Sequence, residues 1–511
     1  MSGRPSRRWI LRRLVQSGLL TPRALSMFAA TAFGSGVSLA SLLRFAARRD
    51  PDGLALVDEN GAVSFASLAE ECERMAAALR DRHGVGRGER VGILGRNGAD
   101  LVRAIFATAR LGARVTLLNP EMAAPQLAQL VAEHRIRLVL SAGGAGAMLA
   151  GATAAVVDSA ALLEAAPATY RPLGRLSGGE LVVLTGGTTG PPKAAARKPS
   201  VLSFARLFLH LVAALGLDRY SSALVAVPLF HGYGIAAFLV ALALGRTVHL
   251  MPRFDAGAAA ELIERGRIEA AVVVPSMLQR MLAQPRDLSS VHCIVSGGAA
   301  LPPRLAIETR ERLGDVLFNL YGTSEGGVAV FASPADLAEA PDTIGREIWG
   351  VRVSIRDEAG VEVPDGTLGR IGVVSSAAVA RGSLIETGDI GFRDSRGRLF
   401  VRGRSDDMIV SGGENVSPWE VESVLATHPE IAECAAVGVA DEDFGQRLVA
   451  FVVPRAGSAL TAEALRAWLS ERVARYQRPR AIELRSELPL TPIGKVDRRA
   501  LRSSVGAQVP G

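Results

Sequence analysis

The sequence feature that most constrains the fold is a repeated alternation of short β-rich runs with helical segments along most of the chain. Residues 54–57, 90–94, 114–118 and 138–140 have the composition of strands, and 67–80 has the apolar periodicity of a helix. Alternation of this kind is typical of parallel sheets covered by helices. We therefore predict an α/β fold whose large N-terminal domain consists of layered αβ sheets.

A charged, glycine-containing stretch marks the clearest domain boundary. Residues 402–407 follow a short predicted strand at 399–401, and the chain after them has its own pattern of strands and helices. This pattern predicts a small, mobile α+β C-terminal domain joined by a short hinge. The predicted organisation is a basic arm (1–37), an N-terminal domain (38–404), a C-terminal lid domain (405–503) and a tail (504–511).

Composition argues against a membrane-spanning or disulfide-stapled protein. The chain has 511 residues, 49% of them apolar, but it has no run of the roughly 18 apolar residues that a transmembrane helix needs. Its three cysteines, Cys72, Cys293 and Cys434, lie far apart, so neither a disulfide framework nor a Cys-x-x-Cys metal pair is expected. A reduced, cytoplasmic compartment fits this composition best.

The net positive charge of the protein comes from its first 50 residues, which include the N-terminal arm. Residues 1–50 contain nine arginines and one acid, Asp50, so their net charge is +8. The net charge of the whole chain is +7, so the remaining residues together carry −1. A near-neutral body with 5% aromatic residues lacks the basic surface that nucleic-acid binding requires. We therefore expect no DNA or RNA partner.

Three interpretations of the arm remain open. Residues 6–12 (Ser-Arg-Arg-Trp-Ile-Leu-Arg) resemble a twin-arginine export signal, and 24–43 carries no charge. Alternatively, Ile10 and Leu14 opposite paired arginines predict an amphipathic helix that makes peripheral contact with an anionic membrane. The third interpretation is an ordinary helical arm packed on the body, with its arginines in water.

A buried-strand run at 181–184 leads directly into a loop rich in glycine and threonine. Glycines let backbone N–H groups approach phosphate oxygens, and threonine hydroxyls add donors, so the loop is a candidate phosphate cradle. It differs from a Walker loop, because two prolines separate Gly190 from Lys193. The glycine-containing segment 92–98 has the wrong spacing for a dinucleotide fingerprint and is set aside. The candidate phosphate-binding residues are Thr185, Gly187, Thr188, Thr189, Gly190 and Lys193.

Lysine is rare in this chain, so each lysine carries information. Among 58 basic residues the lysines are Lys193, Lys198 and Lys495. Where arginine supplies generic positive charge, a retained lysine indicates a site at which a compact ammonium matters. Lys193 and Lys495 are the candidates for such sites.

The segment from Tyr321 to Glu325 follows an apolar predicted strand at 316–320 and carries candidate ligand-binding groups. Tyr321 can stack on a base, the hydroxyls after it, including that of Ser324, can hold a phosphate, and Glu325 can hold a magnesium ion.

The same segment supports a rival hypothesis. Residues 322–326 match the G-x-S-x-G motif of a serine esterase, and Asp389 and then His428 follow in hydrolase order. This esterase hypothesis leaves the phosphate-like loop and Lys495 without a role.

Together these segments resemble the adenylate-forming superfamily, which includes acyl-CoA synthetases, luciferases and peptide-synthetase adenylation domains. The resemblance covers residues 38–503 and depends on ordered motifs, each weak alone. The motifs are 185–193, 228–232 (Pro-Leu-Phe-His-Gly), 296–299 (Ser-Gly-Gly-Ala), 321–325, 387–389 (Thr-Gly-Asp), 403–407 (Gly-Arg-Ser-Asp-Asp), 411–415 (Ser-Gly-Gly-Glu-Asn) and 492–495 (Pro-Ile-Gly-Lys).

The resemblance implies a role for each matching residue. Asp389, with help from Arg404, is expected to hold the ribose hydroxyls of ATP, and Lys495 to bridge the substrate carboxylate and the α-phosphate. Asp406 is the implied hinge of the lid. The remaining implied contacts are Gly297, Gly298, Ala299 and Tyr321 with adenine, Ser324 with the α-phosphate, Glu325 with magnesium, Gly412 and Gly413 with the pantetheine of coenzyme A, and Glu414 with His231, which it orients.

The implied reaction has two steps. A carboxylate is a poor electrophile, so ATP first converts it to an acyl-adenylate with loss of pyrophosphate, and a thiol then attacks. We predict an ATP-dependent acyl-CoA synthetase of fatty acid metabolism acting on a long-chain or bulky apolar acid, with a carrier protein possible in place of coenzyme A. The small residues expected near the acid are Gly234, Ala236, Ala237, Ala300, Gly326 and Gly327.

Three departures from the family pattern leave an alternative open. Gly186 stands where many relatives have serine, Ala194 stands where glycine usually follows the loop lysine, and 371–380 lacks an expected Gly-Tyr element. An altered phosphate loop leaves open a second hypothesis, in which the protein carries out the thioester-forming half-reaction alone on a preformed acyl-adenylate.

Overall fold

The structure, a computed structural model, divides into two compact units. Unit 1 comprises residues 1–273 and 277–295, and unit 2 comprises 274–276 and 296–511. The described residues are 15, 21, 26, 39–174, 179–185, 193–197, 201–323, 326–375, 382–411, 414–441, 444–491 and 494–506. The candidate residues that lie outside them are Gly187, Thr188, Thr189, Gly190, Ser324, Glu325, Gly412 and Gly413. The predicted boundary after residue 404 stays a prediction.

Unit 1 is built from alternating strands and helices. The strands are β1 (Leu54–Asp58), β2 (Gly61–Ser64), β3 (Arg90–Leu94), β4 (Arg114–Leu118), β5 (Leu138–Ser141), β6 (Ala155–Asp158), β7 (Glu180–Thr185), β8 (Lys193–Arg197), β9 (Ser222–Val225), β10 (Thr247–Leu250), β11 (Ala270–Val273) and β12 (Cys293–Gly297). The helices are α1 (Ala40–Arg49), α2 (Phe65–His83), α3 (Ala99–Arg110), α4 (Ala124–Glu133), α5 (Ser159–Glu164), α6 (Val201–Leu215), α7 (Gly232–Ala243), α8 (Ala256–Gly266) and α9 (Pro275–Leu282). The first two residues of α9, Pro275 and Ser276, and the last two of β12, Ser296 and Gly297, belong to unit 2.

One sheet of unit 1 has the strand order β6-β5-β3-β4-β7-β8. All neighbours are parallel except β7 and β8, which form an antiparallel pair. Strands β3, β4 and β5 are almost continuous runs of buried residues, as expected for a parallel sheet with both faces covered. The strand and helix pattern predicted for this part of the chain is confirmed.

The unit 1 strands of a second sheet, which has nine strands in all, are in the order β12-β11-β9-β10-β1-β2. Helix α2 follows its edge strand β2 and has a clear start and end. The Ser64 hydroxyl accepts a hydrogen bond from the Ser67 N–H at 3.2 Å, and Gly84 ends the helix in the left-handed conformation with φ of 62°. These local signals explain why the helix extends a few residues beyond the predicted 67–80 at both ends.

Unit 2 consists mainly of antiparallel strands with fewer helices. The strands are β13 (Leu317–Thr323), β14 (Gly327–Ala332), β15 (Arg346–Glu347), β16 (Val351–Arg356), β17 (Gly369–Ser375), β18 (Leu384–Arg393), β19 (Leu399–Arg404), β20 (Ile409–Ser411), β21 (Glu414–Val416), β22 (Ile431–Asp441), β23 (Gly445–Pro454) and β24 (Ala481–Leu484). The helices are α10 (Pro303–Leu313), α11 (Pro334–Glu339), α12 (Pro418–Leu425), α13 (Ala462–Ser470) and α14 (Arg498–Gly506).

The antiparallel sheet β16-β17-β18-β19 carries two of the candidate site residues of unit 2, Asp389 and Arg404. Its last hairpin places Asp389 on β18 directly opposite Arg404 on β19. Strand β19 continues to Arg404, three residues beyond the predicted end at 401, because this pairing extends the ladder. A 3₁₀ turn at Ser405–Asp407 follows immediately.

The C-terminal part of unit 2 has its own sheet, in the order β21-β20-β23-β22, with β24 parallel to β23. Alternate residues of β23 face two separate hydrophobic clusters. Leu448, Ala450 and Val452 pack in one cluster, while Val449 and Phe451 pack in the other. Both faces of this sheet are therefore covered, as a stable domain requires.

A search of the described residues finds no helix that is both long and apolar enough to cross a membrane. Most of the arm, residues 1–37, lies outside those residues, so its predicted contact with a membrane stays a prediction.

Gly345 joins β14 to the start of β19 and provides a test of this packing. Its φ is 93°, its carbonyl accepts from the Leu399 N–H at 2.8 Å, and an added Cβ would lie 1.9 Å from the Phe331 carbonyl oxygen. Gly350 has a similar φ of 86° but no atom within 4 Å of the same position. We expect Gly345→Ala to lower the free energy of unfolding by about 2 kcal/mol more than Gly350→Ala, because a backbone clash adds to backbone strain.

Differential scanning calorimetry of both variants measures this difference. Equal melting temperatures for the two variants would contradict the close approach of Gly345 to β14.

Candidate active site

Asp389 is the centre of a hydrogen-bonded cluster in unit 2. The Tyr321 hydroxyl donates to Asp389 Oδ2 at 2.5 Å, and Arg404 Nη1 lies 3.3 Å from Asp389 Oδ1. The Asp389 side chain is 13% exposed, whereas that of Arg404 is 43% exposed. The cluster therefore lies at a surface, with the carboxylate set below it.

The Thr-Gly-Asp motif holds this carboxylate in place. Thr387 is buried, and its hydroxyl donates to the Ile371 carbonyl at 2.9 Å and accepts from the Asp389 N–H at 3.1 Å. Gly388 has a φ of 76°, and an added Cβ would lie 2.6 Å from Arg404 Nη2. Thr387 is therefore required for its two hydrogen bonds. Gly388 is required because the Arg404 guanidinium lies where a side chain would be.

Arg404 also bonds to the turn that follows β19. Its Nη2 lies 2.8 Å from Asp406 Oδ2, and the Ser405 hydroxyl donates to the Gly388 carbonyl at 3.0 Å. One guanidinium therefore bridges Asp389 on the sheet and Asp406, the predicted hinge residue.

Lys495 approaches the same cluster from a loop before α14. The Thr491 N–H donates to the Lys495 carbonyl at 2.6 Å, and the Lys495 N–H donates to the Thr491 hydroxyl at 3.2 Å. The Lys495 ammonium interacts electrostatically with Arg404 and Asp389. Four of the predicted site residues thus share one cluster: Tyr321, Asp389, Arg404 and Lys495.

The pKa values of these groups are displaced in ways that their surroundings explain. Burial raises the pKa of Asp389, although Tyr321, Arg404 and Lys495 each oppose that effect. Burial, together with the neighbouring Asp389, raises the pKa of the Tyr321 hydroxyl. Lys495 is exposed by surface area, but desolvation by the atoms around it, aided by the repulsion of Arg404, lowers its pKa from the ordinary 10.5.

This arrangement suits a ligand that has both hydroxyls and negative charge. The Asp389 carboxylate can accept two hydrogen bonds from a cis-diol, and Arg404 and Lys495 offer positive charge beside it. The Tyr321 ring adds an aromatic surface next to the carboxylate. A ribose joined to a phosphate has this combination of groups.

The other described candidate residues lie on separate elements of the two units. Thr185 and Lys193 are paired at the end of the β7–β8 hairpin of unit 1, at either side of the predicted phosphate loop. His231 is the residue before α7 in unit 1, and its ring lies 4.7 Å from that of Phe230. Glu414 starts β21 in unit 2 and is exposed. The contact expected between Glu414 and His231 stays a prediction.

The small residues expected near the acid differ in exposure. Gly234, Gly326 and Gly327 are buried, Ala237 is half-buried, and Ala236 and Ala300 are exposed. In the adenine motif, Gly297 is buried at the end of β12, Gly298 is exposed and Ala299 is half-buried. Their proposed roles toward a ligand stay predictions.

Sequence reasoning missed Asn97, which holds the backbone before His231. Its Nδ2 donates to the Val227 carbonyl at 3.0 Å and its Oδ1 accepts from the Leu229 N–H at 2.7 Å, with Asn97 itself 5% exposed. Pro228 between them has no N–H, so this segment cannot continue a strand, and the side-chain amide replaces the ladder. Asn97 belongs to the segment 92–98, whose glycine spacing excludes a dinucleotide-binding motif. That spacing carries no information about the contact of Asn97 with the segment around Pro228.

The esterase hypothesis requires Asp389 to pair with His428. Asp389 is bonded instead to Tyr321 and Arg404, and His428 Nδ1 accepts from the Glu430 N–H at 3.2 Å. The His428 ring packs edge-on against Trp468 at 5.0 Å. This geometry does not form the acid–histidine pair of a hydrolase.

The part of the chain that the structure describes contains no cluster of three or more potential metal ligands from His, Cys, Asp and Glu. Glu325, the predicted magnesium ligand, lies outside that part.

Comparison with known proteins identifies the family. The sequence profile of the AMP-binding enzyme family matches residues 43–384, and that of the AMP-binding enzyme C-terminal domain matches 420–495. The chain belongs to the AMP-binding enzyme family. This confirms the predicted membership of the adenylate-forming superfamily and the predicted ATP-dependent acyl-CoA synthetase class.

The individual relatives support the same assignment. Indoleacetate–CoA ligase of Aromatoleum aromaticum is 35% identical over 87% of this chain and 93% of its own length. Feruloyl-CoA synthase of an Amycolatopsis species is 32% identical over 90% of this chain and 97% of its own. The structure of o-succinylbenzoate CoA synthetase from Bacillus subtilis with its acyl-adenylate intermediate has a TM-score of 0.78 and 28% identity, and the match covers 90% of this chain and 97% of that one. The layered α/β fold with a smaller C-terminal domain is thereby confirmed.

The raised pKa of Asp389 predicts a trade between stability and binding. Because the folded state raises this pKa, the unliganded protein loses stability as pH rises from the ordinary pKa of an aspartate through the folded one, and the cost persists at pH 7. We expect Asp389→Asn to leave the melting temperature at pH 7 unchanged or higher, and to abolish protection by AMP or ATP. Thermal shift measurements with and without nucleotide check both effects.

Asp406→Asn is the matched control. Its hydrogen bond with Arg404 lowers the pKa of Asp406, so its stabilisation is present above the ordinary pKa of an aspartate and disappears as pH falls through the folded one. We expect Asp406→Asn to lower the melting temperature at pH 7. A lower melting temperature for Asp389→Asn than for Asp406→Asn would contradict this account.

Proposed function

We propose that the protein is a carboxylic acid:coenzyme A ligase that forms an acyl-adenylate from ATP and then an acyl-CoA thioester. The observation that carries the proposal is the cluster in which Tyr321, Asp389, Arg404 and Lys495 face one another. Family membership supplies the reaction class, and the cluster supplies groups of the chemistry that its first step requires.

The first step joins the substrate carboxylate to AMP. A carboxylate oxygen attacks the α-phosphorus of ATP, the bond to the β-phosphate oxygen breaks, and pyrophosphate leaves. Asp389 holds the ribose, and Lys495 stabilises the charge that accumulates between the two reacting anions. Arg404 bonds to both Asp389 and Asp406, the predicted hinge residue, and so holds the two carboxylates at a fixed separation. Glu325 is the residue that would hold magnesium, which would supply positive charge for the leaving phosphates.

The second step releases AMP. The thiol of coenzyme A attacks the acyl carbon, and the acyl–phosphate bond breaks. We propose that His231 and Glu414 act in this step with Gly412 and Gly413, as the family resemblance implies. A carrier-protein thiol is the alternative acceptor.

The proposed acid carries an apolar ring. Indoleacetate, ferulate and o-succinylbenzoate, named for the three relatives above, are all aromatic carboxylates. Their shared chemistry favours a ring over the long chain that small pocket residues also permit. A panel of indoleacetate, ferulate and decanoate distinguishes these classes.

Two parallel assays test the proposal. One contains acid, ATP, magnesium and coenzyme A, and measures pyrophosphate, AMP and thioester. The other contains synthetic acyl-AMP and coenzyme A. We expect turnover in both assays. Turnover in the second alone would favour the half-reaction hypothesis, and ADP formation or turnover without nucleotide would reject ligase chemistry.

Lys495→Ala separates the two half-reactions. We expect acyl-adenylate formation, measured as ATP–pyrophosphate exchange, to fall about 100-fold or more, because a preorganised charge is lost. Thioester formation from synthetic acyl-AMP should stay near the wild-type rate. An equal fall in both rates would contradict the assignment of Lys495 to the first step.

The lowered pKa of Lys495 also predicts a pH dependence. The ammonium is the active form, so exchange should decline as pH rises through the folded pKa, which lies below the ordinary 10.5. The rate of thioester formation from acyl-AMP should show no decline with pH that is due to Lys495. Rate profiles of both half-reactions from pH 7 to 10 measure the difference.

A further inference from the structure

The peptide group immediately before Lys495 is held from two sides. Its carbonyl, that of Gly494, accepts a hydrogen bond from the Ser276 hydroxyl at 2.7 Å. Its N–H, that of Lys495, donates to the Thr491 hydroxyl at 3.2 Å. A peptide group is planar, so fixing both polar atoms fixes the plane from which the Lys495 side chain departs.

The two hydrogen bonds have different consequences. Thr491 is four residues before Lys495, so its bonds hold these two residues together wherever this part of the chain lies. Ser276 is 218 residues away from Gly494 in sequence, and both residues lie in unit 2. The Ser276 bond therefore fixes the location of the loop relative to a part of the chain outside it.

Electrostatics gives a reason for such an anchor. The charged groups that act on the Lys495 ammonium are Arg404, which repels it, and Asp389, which attracts it. Desolvation adds a further cost to holding the ammonium there. A charge held against repulsion and desolvation moves toward water unless the backbone that carries it is restrained.

We propose that Ser276 is a positioning residue for Lys495, whose hydroxyl holds the lysine loop so that the ammonium faces Asp389 and Arg404. The proposal rests on the proposed function, in which Lys495 serves acyl-adenylate formation. Ser276 acts through the Gly494 carbonyl and does not itself touch the reacting groups.

Arg304 provides a matched comparison. Its Nη1 donates to the carbonyl oxygens of His428 and Pro429, each at 3.1 Å. This bond also joins the C-terminal part of unit 2 to the part before β19, but it does not involve the lysine loop. Arg304→Met therefore tests whether any loss of contact with the C-terminal part has the same effect as loss of the Ser276 hydroxyl.

The first experiment titrates Lys495 directly in the unliganded protein. Because the chain has three lysines, pH-dependent labelling with acetic anhydride, read by mass spectrometry, reports each one separately. In Ser276→Ala we expect the Lys495 midpoint to rise toward the ordinary value for lysine, since the ammonium moves away from Arg404 and into water. Arg304→Met should leave the midpoint unchanged. An unchanged midpoint in Ser276→Ala, or an equal rise in Arg304→Met, overturns the proposal.

The second experiment measures the half-reactions. Ser276→Ala should slow ATP–pyrophosphate exchange about tenfold, the effect of losing one positioning hydrogen bond, and leave thioester formation from acyl-AMP unchanged. Ser276→Thr should restore exchange, and adding Ser276→Ala to Lys495→Ala should cause no further loss. Wild-type exchange rates in Ser276→Ala, or additive losses in the double variant, overturn the proposal.

The two experiments also separate this proposal from the proposed function. A wild-type protein without ATP–pyrophosphate exchange for any acid rejects the ligase assignment, while the Lys495 titration still decides whether Ser276 positions the lysine.

Discussion

The antiparallel pairing of β18 with β19 is the constraint on which the candidate site depends. It places Asp389 opposite Arg404, and the same guanidinium reaches Asp406 in the turn that follows. A sheet register allows no gradual adjustment, because a slip of one residue would turn Asp389 to the opposite face. The positions of the Asp389 carboxylate, the Arg404 guanidinium and Asp406, the predicted hinge residue, therefore depend on one strand register, and Thr387 reinforces it with its two hydrogen bonds.

The cluster is balanced in charge but costly in its unliganded form. Two carboxylates, Asp389 and Asp406, face two cations, Arg404 and Lys495, yet the pKa of Asp389 is raised and that of Lys495 is lowered. Both directions mean that the charged forms are held at a cost, since desolvation exceeds the attraction between them. Such displaced pKa values cluster at functional sites, where a ligand provides the missing interactions. The displaced pKa values of Asp389 and Lys495 thus agree with the proposal that this cluster binds a substrate.

The sequence predicted the fold better than it predicted the contacts within the site. The predicted bounds of strands β3 and β4 match the observed ones, because both are runs of buried, mostly aliphatic residues that begin at an arginine. Asp389 and Lys495 were identified from motif resemblance, since no local pattern relates residues so far apart. The bond from Tyr321 to Asp389 depends on the packing of two sheets, and the role of Asn97 depends on a segment 130 residues away. Periodicity carries no information about either contact.

The clamp formed by Asn97 has a consequence for which residues can follow it. The amide bonds to the main chain on either side of Pro228, so it holds that segment through backbone atoms alone. The held segment in turn limits the first turn of α7, because a Cβ added at Gly234 would meet the Pro228 carbonyl oxygen. A larger residue at that position would displace either the helix or the backbone that Asn97 supports.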